Sequence, residues 1–114
     1  LHRAGIKVGV GLLPGTEVSE IKPSLGQIDH VLIFSGDLGY FGGTADVSLL
    51  RKVRQVKSLK KSIEVGWDGG VSPDNAAELI SGGVDVLNSG AFIQEAANPA
   101  GAYATLEALA RKQI

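Results

Sequence analysis

Ile63-Glu64-Val65-Gly66-Trp67-Asp68-Gly69-Gly70-Val71-Ser72-Pro73-Asp74 is the stretch on which the fold turns. A short apolar run ends on a carboxylate and two glycines. Ser72-Pro73-Asp74 then opens a helix, with a cap residue, a proline at the first helical position and an acid in the first turn. Strand, glycine-rich turn and helix start follow one another directly, which reads as one β-α unit.

The same pattern recurs on both sides. Upstream, Val8-Gly9-Val10-Gly11-Leu12-Leu13 and Val31-Leu32-Ile33-Phe34, the latter preceded by Asp29-His30, read as buried parallel strands. Downstream, Val84-Asp85-Val86-Leu87-Asn88 reads as a fourth. Thr16 is placed to cap a short helix over Glu17 to Leu25, with Val18, Ile21 and Leu25 on one face. Asp46 is placed to cap a longer one, whose stripe is Leu49, Leu50, Val53 and Val56. Its residues Arg51, Lys52, Arg54 and Lys57 are expected to face water. The helix from Ser72 ends at Gly82-Gly83. A last one opens at Asn98-Pro99 and is expected to bury Tyr103, Leu106 and Leu109.

Strict β-α-β-α-β-α-β-α order with short connections predicts a parallel sheet with right-handed crossovers. Four units are half of a (β/α)8 barrel, which takes about 250 residues in full. A doubly wound open sheet is the competing architecture. The opening Leu1-His2-Arg3-Ala4-Gly5-Ile6-Lys7 reads as the tail of a helix closed by glycine. Residues 1–114 are therefore expected to form a single C-terminal half-barrel whose other half lies upstream.

Composition narrows the function classes. With 11 Lys+Arg against 12 Asp+Glu, the net charge of −1 calls for neither nucleic acid nor an anionic membrane as partner. No apolar run is long enough to span a bilayer. The absence of cysteine rules out disulfides and thiolate metal sites within this sequence and makes a cytoplasmic setting the expectation.

The glycines gather at one end of the strands: Pro14-Gly15-Thr16, then Ser35-Gly36-Asp37-Leu38-Gly39-Tyr40-Phe41-Gly42-Gly43-Thr44, then Asp68-Gly69-Gly70, then Ser89-Gly90-Ala91. These are C-terminal strand ends, the face on which barrel active sites are built. Glycine there lets backbone N–H groups approach and face an anion. The segment Phe92 to Ala97 has the length of the short extra helix that often completes a barrel phosphate site. Asp68 ends an apolar strand beside this cradle, so it is a candidate general base or metal ligand. Asp37 reads as a loop brace, His30 as a residue of the far end and Trp67 as a core filler. Asp85 and Asn88 stay undecided.

These motifs resemble the C-terminal half of the ribulose-phosphate 3-epimerase family over nearly the whole chain. The resemblance is carried by Ala4-Gly5-Ile6-Lys7-Val8-Gly9-Val10 with Pro14-Gly15-Thr16, by Phe41-Gly42-Gly43, by Trp67-Asp68-Gly69-Gly70-Val71-Ser72-Pro73, and by Val84-Asp85-Val86-Leu87 with Ser89-Gly90. It implies a metal-dependent barrel of pentose phosphate metabolism that interconverts ribulose 5-phosphate and xylulose 5-phosphate through an enediolate. It carries one of two acid/base aspartates onto Asp68, which would also bind the divalent ion (zinc, iron or manganese). It carries phosphate binding onto Gly42, Gly43, Gly69, Gly70, Gly90 and Ala91. The family's other metal ligands, two histidines and an aspartate, belong to earlier strands that this sequence lacks. Leu38 stands where the family has proline, and Ala91 where it has serine.

Three readings follow. The chain is an epimerase half that needs its N-terminal half-barrel; or it is a non-catalytic phosphosugar-binding half-barrel that closes its sheet as a homo-oligomer; or the same superfold runs a different sugar-phosphate reaction.

Overall fold

The computed structural model describes residues 5–35 and 45–111. The segment holding Asp37, Gly42 and Gly43 lies outside the described residues, as do residues 1–4. Four strands, β1 (Gly9–Leu12), β2 (His30–Phe34), β3 (Glu64–Asp68) and β4 (Val86–Asn88), form one sheet in the order β1-β2-β3-β4. Every pairing is parallel. Consecutive order means that each crossover steps in the same direction. Right-handed crossovers then put all the helices on one face, as in a barrel wall, whereas a doubly wound sheet reverses direction and covers both faces.

Burial agrees with that one-sided arrangement. Leu12, Val31, Ile33, Val65 and Trp67 are fully buried and join one cluster with Val53 and Val56 of α1 (Leu50–Leu59) and Leu79 of α2 (Ala76–Ser81). Side chains alternate along a strand. Gly9, Gly11, His30, Leu32, Phe34, Glu64, Gly66 and Asp68 therefore occupy the opposite, helix-free face. Large residues of β2 lie over glycines there: a Cβ on Gly11 would meet the Phe34 ring at 2.9 Å, and one on Gly66 would meet His30 Nε2 at 2.9 Å.

The strand starts carry a repeated clamp. Asp29 N donates to Val8 O at 2.8 Å while Val8 N donates to Asp29 Oδ2 at 2.8 Å. Asp85 N donates to Val65 O at 2.8 Å while Val65 N donates to Asp85 Oδ2 at 2.9 Å. An aspartate opening each even strand thus grips the strand before it and helps fix register. Asp85 Oδ2 also pairs with Lys57 Nζ at 2.6 Å, which gives this undecided residue a bracing role.

Several helical expectations need correction. The segment after β1 is not one α-helix but two 3₁₀ turns, Val18–Glu20 and Lys22–Gln27. Pro23 lacks the N–H that a continuous helix would need, and Gly26 weakens it further. The cap is Glu17, in a reciprocal pair with Glu20; Thr16 instead closes a turn onto Leu13 O. Asp46 does cap, accepting from Ser48 N at 3.1 Å. Downstream of it a 3₁₀ turn, Val47–Leu49, leads into α1. Lys52 does not face water: it is fully buried, and its ammonium donates to Leu13 O (3.0 Å), Pro14 O (2.7 Å) and Thr16 O (2.6 Å). Burial holds that amine below the usual lysine range, partly opposed by the nearby Glu17. In α4 (Pro99–Arg111) Ala102 and Leu106 are buried, but Tyr103 is 58% exposed because it lies to one side of their line.

Candidate active site

Asp68 closes β3. Its register partners are Phe34 on β2 and Asn88 on β4, so these residues form one row across the C-terminal ends of three strands. The alternation that buries Val65 and Trp67 among the helices turns the Asp68 carboxylate to the helix-free face, half-buried. Its carbonyl is held at the same time by Ser35 N at 2.8 Å. Ser35 is itself buried, and its Oγ accepts from Asp46 N at 2.6 Å. The chain on either side of the Gly42-Gly43 segment, at Ser35 and Asp46, is thereby joined next to Asp68.

Beyond Asp68 the chain turns through two glycines at positive φ, 126° at Gly69 and 68° at Gly70. Gly69 is required: a Cβ there would sit 1.9 Å from the Ser35 carbonyl oxygen. The loop is fastened by donors from three elements. Trp67 Nε1 donates to Gly69 O at 3.0 Å, Asn75 Nδ2 to Gly70 O at 2.8 Å, and Ser89 Oγ reaches Val71 O at 3.5 Å. The last contact, though long, links this loop to the one after β4. There Gly90 precedes the single-turn helix α3 (Ala91–Gln94), with Gln94 N bonded to Gly90 O at 2.9 Å. The short helix expected after β4 is present, starting at Ala91.

The structure thus gathers Asp68, Gly69 and Gly70 at one rim, with Ser89, Gly90 and Ala91 at the end of the adjacent strand; Gly42 and Gly43 lie outside the described residues. Trp67 faces the helices, where its ring fills the core and its N–H braces the site loop. Sequence reasoning missed the bracing roles of Ser35, Asn75 and Ser89, and left undecided Asn88, which the register sets in the Asp68 row. Asn75 carries a readable signal, since an Asn shortly after a Gly-Gly turn is well suited to bond loop backbone.

The far end of the strands has a different character. His30 lies there, its Nδ1 2.8 Å from Glu64 Oε1, beside an open hollow of about 540 Å³ lined also by Lys7, Asp29 and Ser62. Two carboxylates facing one lysine are poorly suited to a phosphate. Among the described residues no group of three or more His, Cys, Asp or Glu is placed to hold a metal ion. Asp68 thus offers at most one ligand, and this donor set does not by itself fit a metal centre. Among the described residues no helix is long and apolar enough to cross a membrane.

Comparison with known proteins agrees with the geometry. The sequence model of the Ribulose-phosphate 3 epimerase family matches residues 1–94. A ribulose-phosphate 3-epimerase of Mycobacterium leprae is 35% identical over 111 residues, covering 93% of this chain and 49% of that protein. The chloroplastic ribulose-5-phosphate-3-epimerase of Arabidopsis thaliana is 41% identical over 96 residues, covering 78% and 33% respectively. The chain spans about half the length, or less, of the curated relatives it matches. The crystal structure of 3-hexulose-6-phosphate synthase from Salmonella typhimurium superposes with a TM-score of 0.74 at 18% identity, over 99% of this chain and 53% of that one. That likeness concerns the fold, and it assigns the four parallel units to half of a (β/α)8 barrel. By the family match over most of its length and by these relatives, the chain belongs to the ribulose-phosphate 3-epimerase family.

Proposed function

We propose that this chain supplies the phosphate-holding, Asp68-bearing half of a barrel that epimerises a phosphorylated ketose at carbon 3, with ribulose 5-phosphate and xylulose 5-phosphate as the pair. The observation that carries the reading is the placement of a half-buried carboxylate on the helix-free face, at the strand end that leads into two glycines of positive φ. Backbone N–H groups of Gly69, Gly70, Gly90 and Ala91, with those of Gly42 and Gly43, hold the phosphate.

The C3–H bond is weakened by the adjacent C2 carbonyl. Asp68 takes that proton from one face, leaving an enediolate. Returning a proton to the opposite face inverts the centre, and that step needs a second acid outside the described residues. Asp68 would also be one ligand of a divalent ion, whose remaining ligands would lie outside them as well; no step is assigned to the ion.

A lone carboxylate makes a distinctive signature: it exchanges the C3 proton with solvent from one face without inverting the carbon. The chain incubated in D2O with each ketose phosphate should lose the C3–H proton NMR signal of one epimer and leave the other. Asp68→Asn should lower that rate by at least about 100-fold, in line with removal of a general base. Equal exchange of both epimers, or an Asp68→Asn rate matching wild type, contradicts the assignment.

A second reading is phosphosugar binding by a half-barrel closed by a second copy of the chain. It is favoured by the sheet itself: among the described residues β1 and β4 each pair on one side only, and Leu32, Phe34 and Val86 on the helix-free face are only partly covered. Sedimentation of the chain with and without inorganic phosphate separates monomer from dimer.

A further inference from the structure

The loop after β3 has a consistent polarity. In a trans peptide the N–H lies opposite the C=O. Trp67 Nε1 draws the Gly69 carbonyl into the protein, which turns the Gly70 N–H the other way. Asn75 Nδ2 draws in the Gly70 carbonyl at 2.8 Å, which turns the Val71 N–H the other way. The next N–H, that of Ser72, does not follow, because it donates to Asn75 Oδ1 at 3.0 Å. Trp67 therefore sets the first of these N–H groups, that of Gly70, while one side-chain amide, that of Asn75, both sets the second, that of Val71, and ends the run at Ser72.

Asn75 stands at the N-cap position of α2, where asparagine ordinarily bonds the first helical N–H groups. Here its side chain makes no bond to the helix. Both ends of the amide are used on the loop, as donor to Gly70 and acceptor from Ser72. Few side chains of this length offer a donor and an acceptor in one plane. Aspartate keeps the acceptor but sets a carboxylate oxygen against the Gly70 carbonyl, and leucine keeps the volume but loses both bonds.

We propose that Asn75 is a positioning residue of the phosphate cradle, and that the amide it presents is that of Val71, next to the Gly70 amide that Trp67 turns. The proposal rests on the phosphosugar reading above and adds to it a donor, Val71 N–H, together with the residue that aims it. Asn75 itself touches no substrate.

The test is a titration of the ¹⁵N-labelled chain with inorganic phosphate, comparing wild type with Asn75→Asp and Asn75→Leu. Asp85→Ala serves as a control that weakens the fold at the opposite ends of the strands. In wild type the Gly70 and Val71 amide resonances should move with phosphate. In both Asn75 variants the Val71 resonance should move less, and the dissociation constant should rise about tenfold or more, as expected when bonds that fix a binding loop are lost. Asp85→Ala should lower the melting temperature and leave phosphate affinity unchanged. Asn75→Asp preserves volume and the Ser72 bond, so it reports on the Gly70 bond even where Asn75→Leu does not fold. Wild-type amides that ignore phosphate overturn the phosphosugar reading and this inference together. Wild-type shifts that persist undiminished in Asn75→Asp overturn this inference alone, and so does an affinity loss in Asp85→Ala as large as that in the Asn75 variants.

Discussion

Replacing Gly69 with alanine should strongly destabilise the chain, and the structure gives the size of the effect. Gly69 sits at φ 126°, a conformation that L side chains rarely adopt. Holding alanine there costs about 1–3 kcal/mol. The added Cβ would also lie 1.9 Å from the carbonyl oxygen of Ser35, which is main chain and cannot rotate aside as a side chain could. Relieving the overlap by more than 1 Å, roughly the gap to an ordinary contact, pulls the end of β2 from β3. It breaks the 2.8 Å bond from Ser35 N to Asp68 O, at a residue that is 6% exposed. Losing a buried backbone bond adds about 1–3 kcal/mol. The sum, about 2–6 kcal/mol, takes up much of the 5–15 kcal/mol that stabilises an ordinary domain. Urea denaturation followed by circular dichroism measures it. Gly15→Ala is the matched control: it too lies in a rim loop, but its φ is unremarkable and none of the described residues lies within 4 Å of the added Cβ. Gly15→Ala should stay within about 0.5 kcal/mol of wild type. A Gly69→Ala protein less than about 1 kcal/mol below wild type, with its β2–β3 amides still protected from exchange, would refute the reasoning.

Two further outcomes follow from the buried and bracing charges. Lys52→Met removes the donor shared by Leu13, Pro14 and Thr16 and should cost about 2 kcal/mol at neutral pH. Because burial depresses the folded-state pKa of Lys52, the unfolded chain binds its proton more tightly. Wild-type stability relative to Lys52→Met should therefore rise as pH climbs from the depressed value through about 10.4, as paired urea titrations would register. Asp85→Ala removes an acceptor shared by Val65 N and Lys57 Nζ. With the side chain 43% exposed, the loss should be near 1 kcal/mol, and its ion-pair share should shrink in high salt.

Much of the architecture was legible in the residues because glycine and proline punctuate it. All four strands match the apolar runs to within a residue or two at their ends, with His30 and Asp68 added to β2 and β3, and Gly83 with φ 109° ends the helical unit where Gly82-Gly83 predicted. The rim was legible for the same reason, since Asp68-Gly69-Gly70 is a strand end that only glycine can turn. Lys52 was misread because its charge outweighed its position. It lies three residues after Leu49 and four before Val56, on the buried stripe itself, and periodicity alone would have put it inside. Tyr103 was misread the other way, as a large apolar body given more weight than its angle on α4. The 3₁₀ breakdown of Val18 to Gln27 follows from Pro23 and Gly26, both visible in advance. The bonds of Asn75 stay within its own loop and leave a local signal, whereas those of Ser35 and Ser89 depend on which loops meet in space, and no spacing along the chain encodes that.

The account stands most directly on where the phosphate goes. A crystal structure of the chain with ribulose 5-phosphate should find the phosphoryl oxygens about 3 Å from the amide nitrogens of the loop after β3. The Asp68 carboxylate should lie against carbon 3. Phosphate found instead among Lys7, His30 and Glu64 at the other ends of the strands, with the rim vacant, would contradict it.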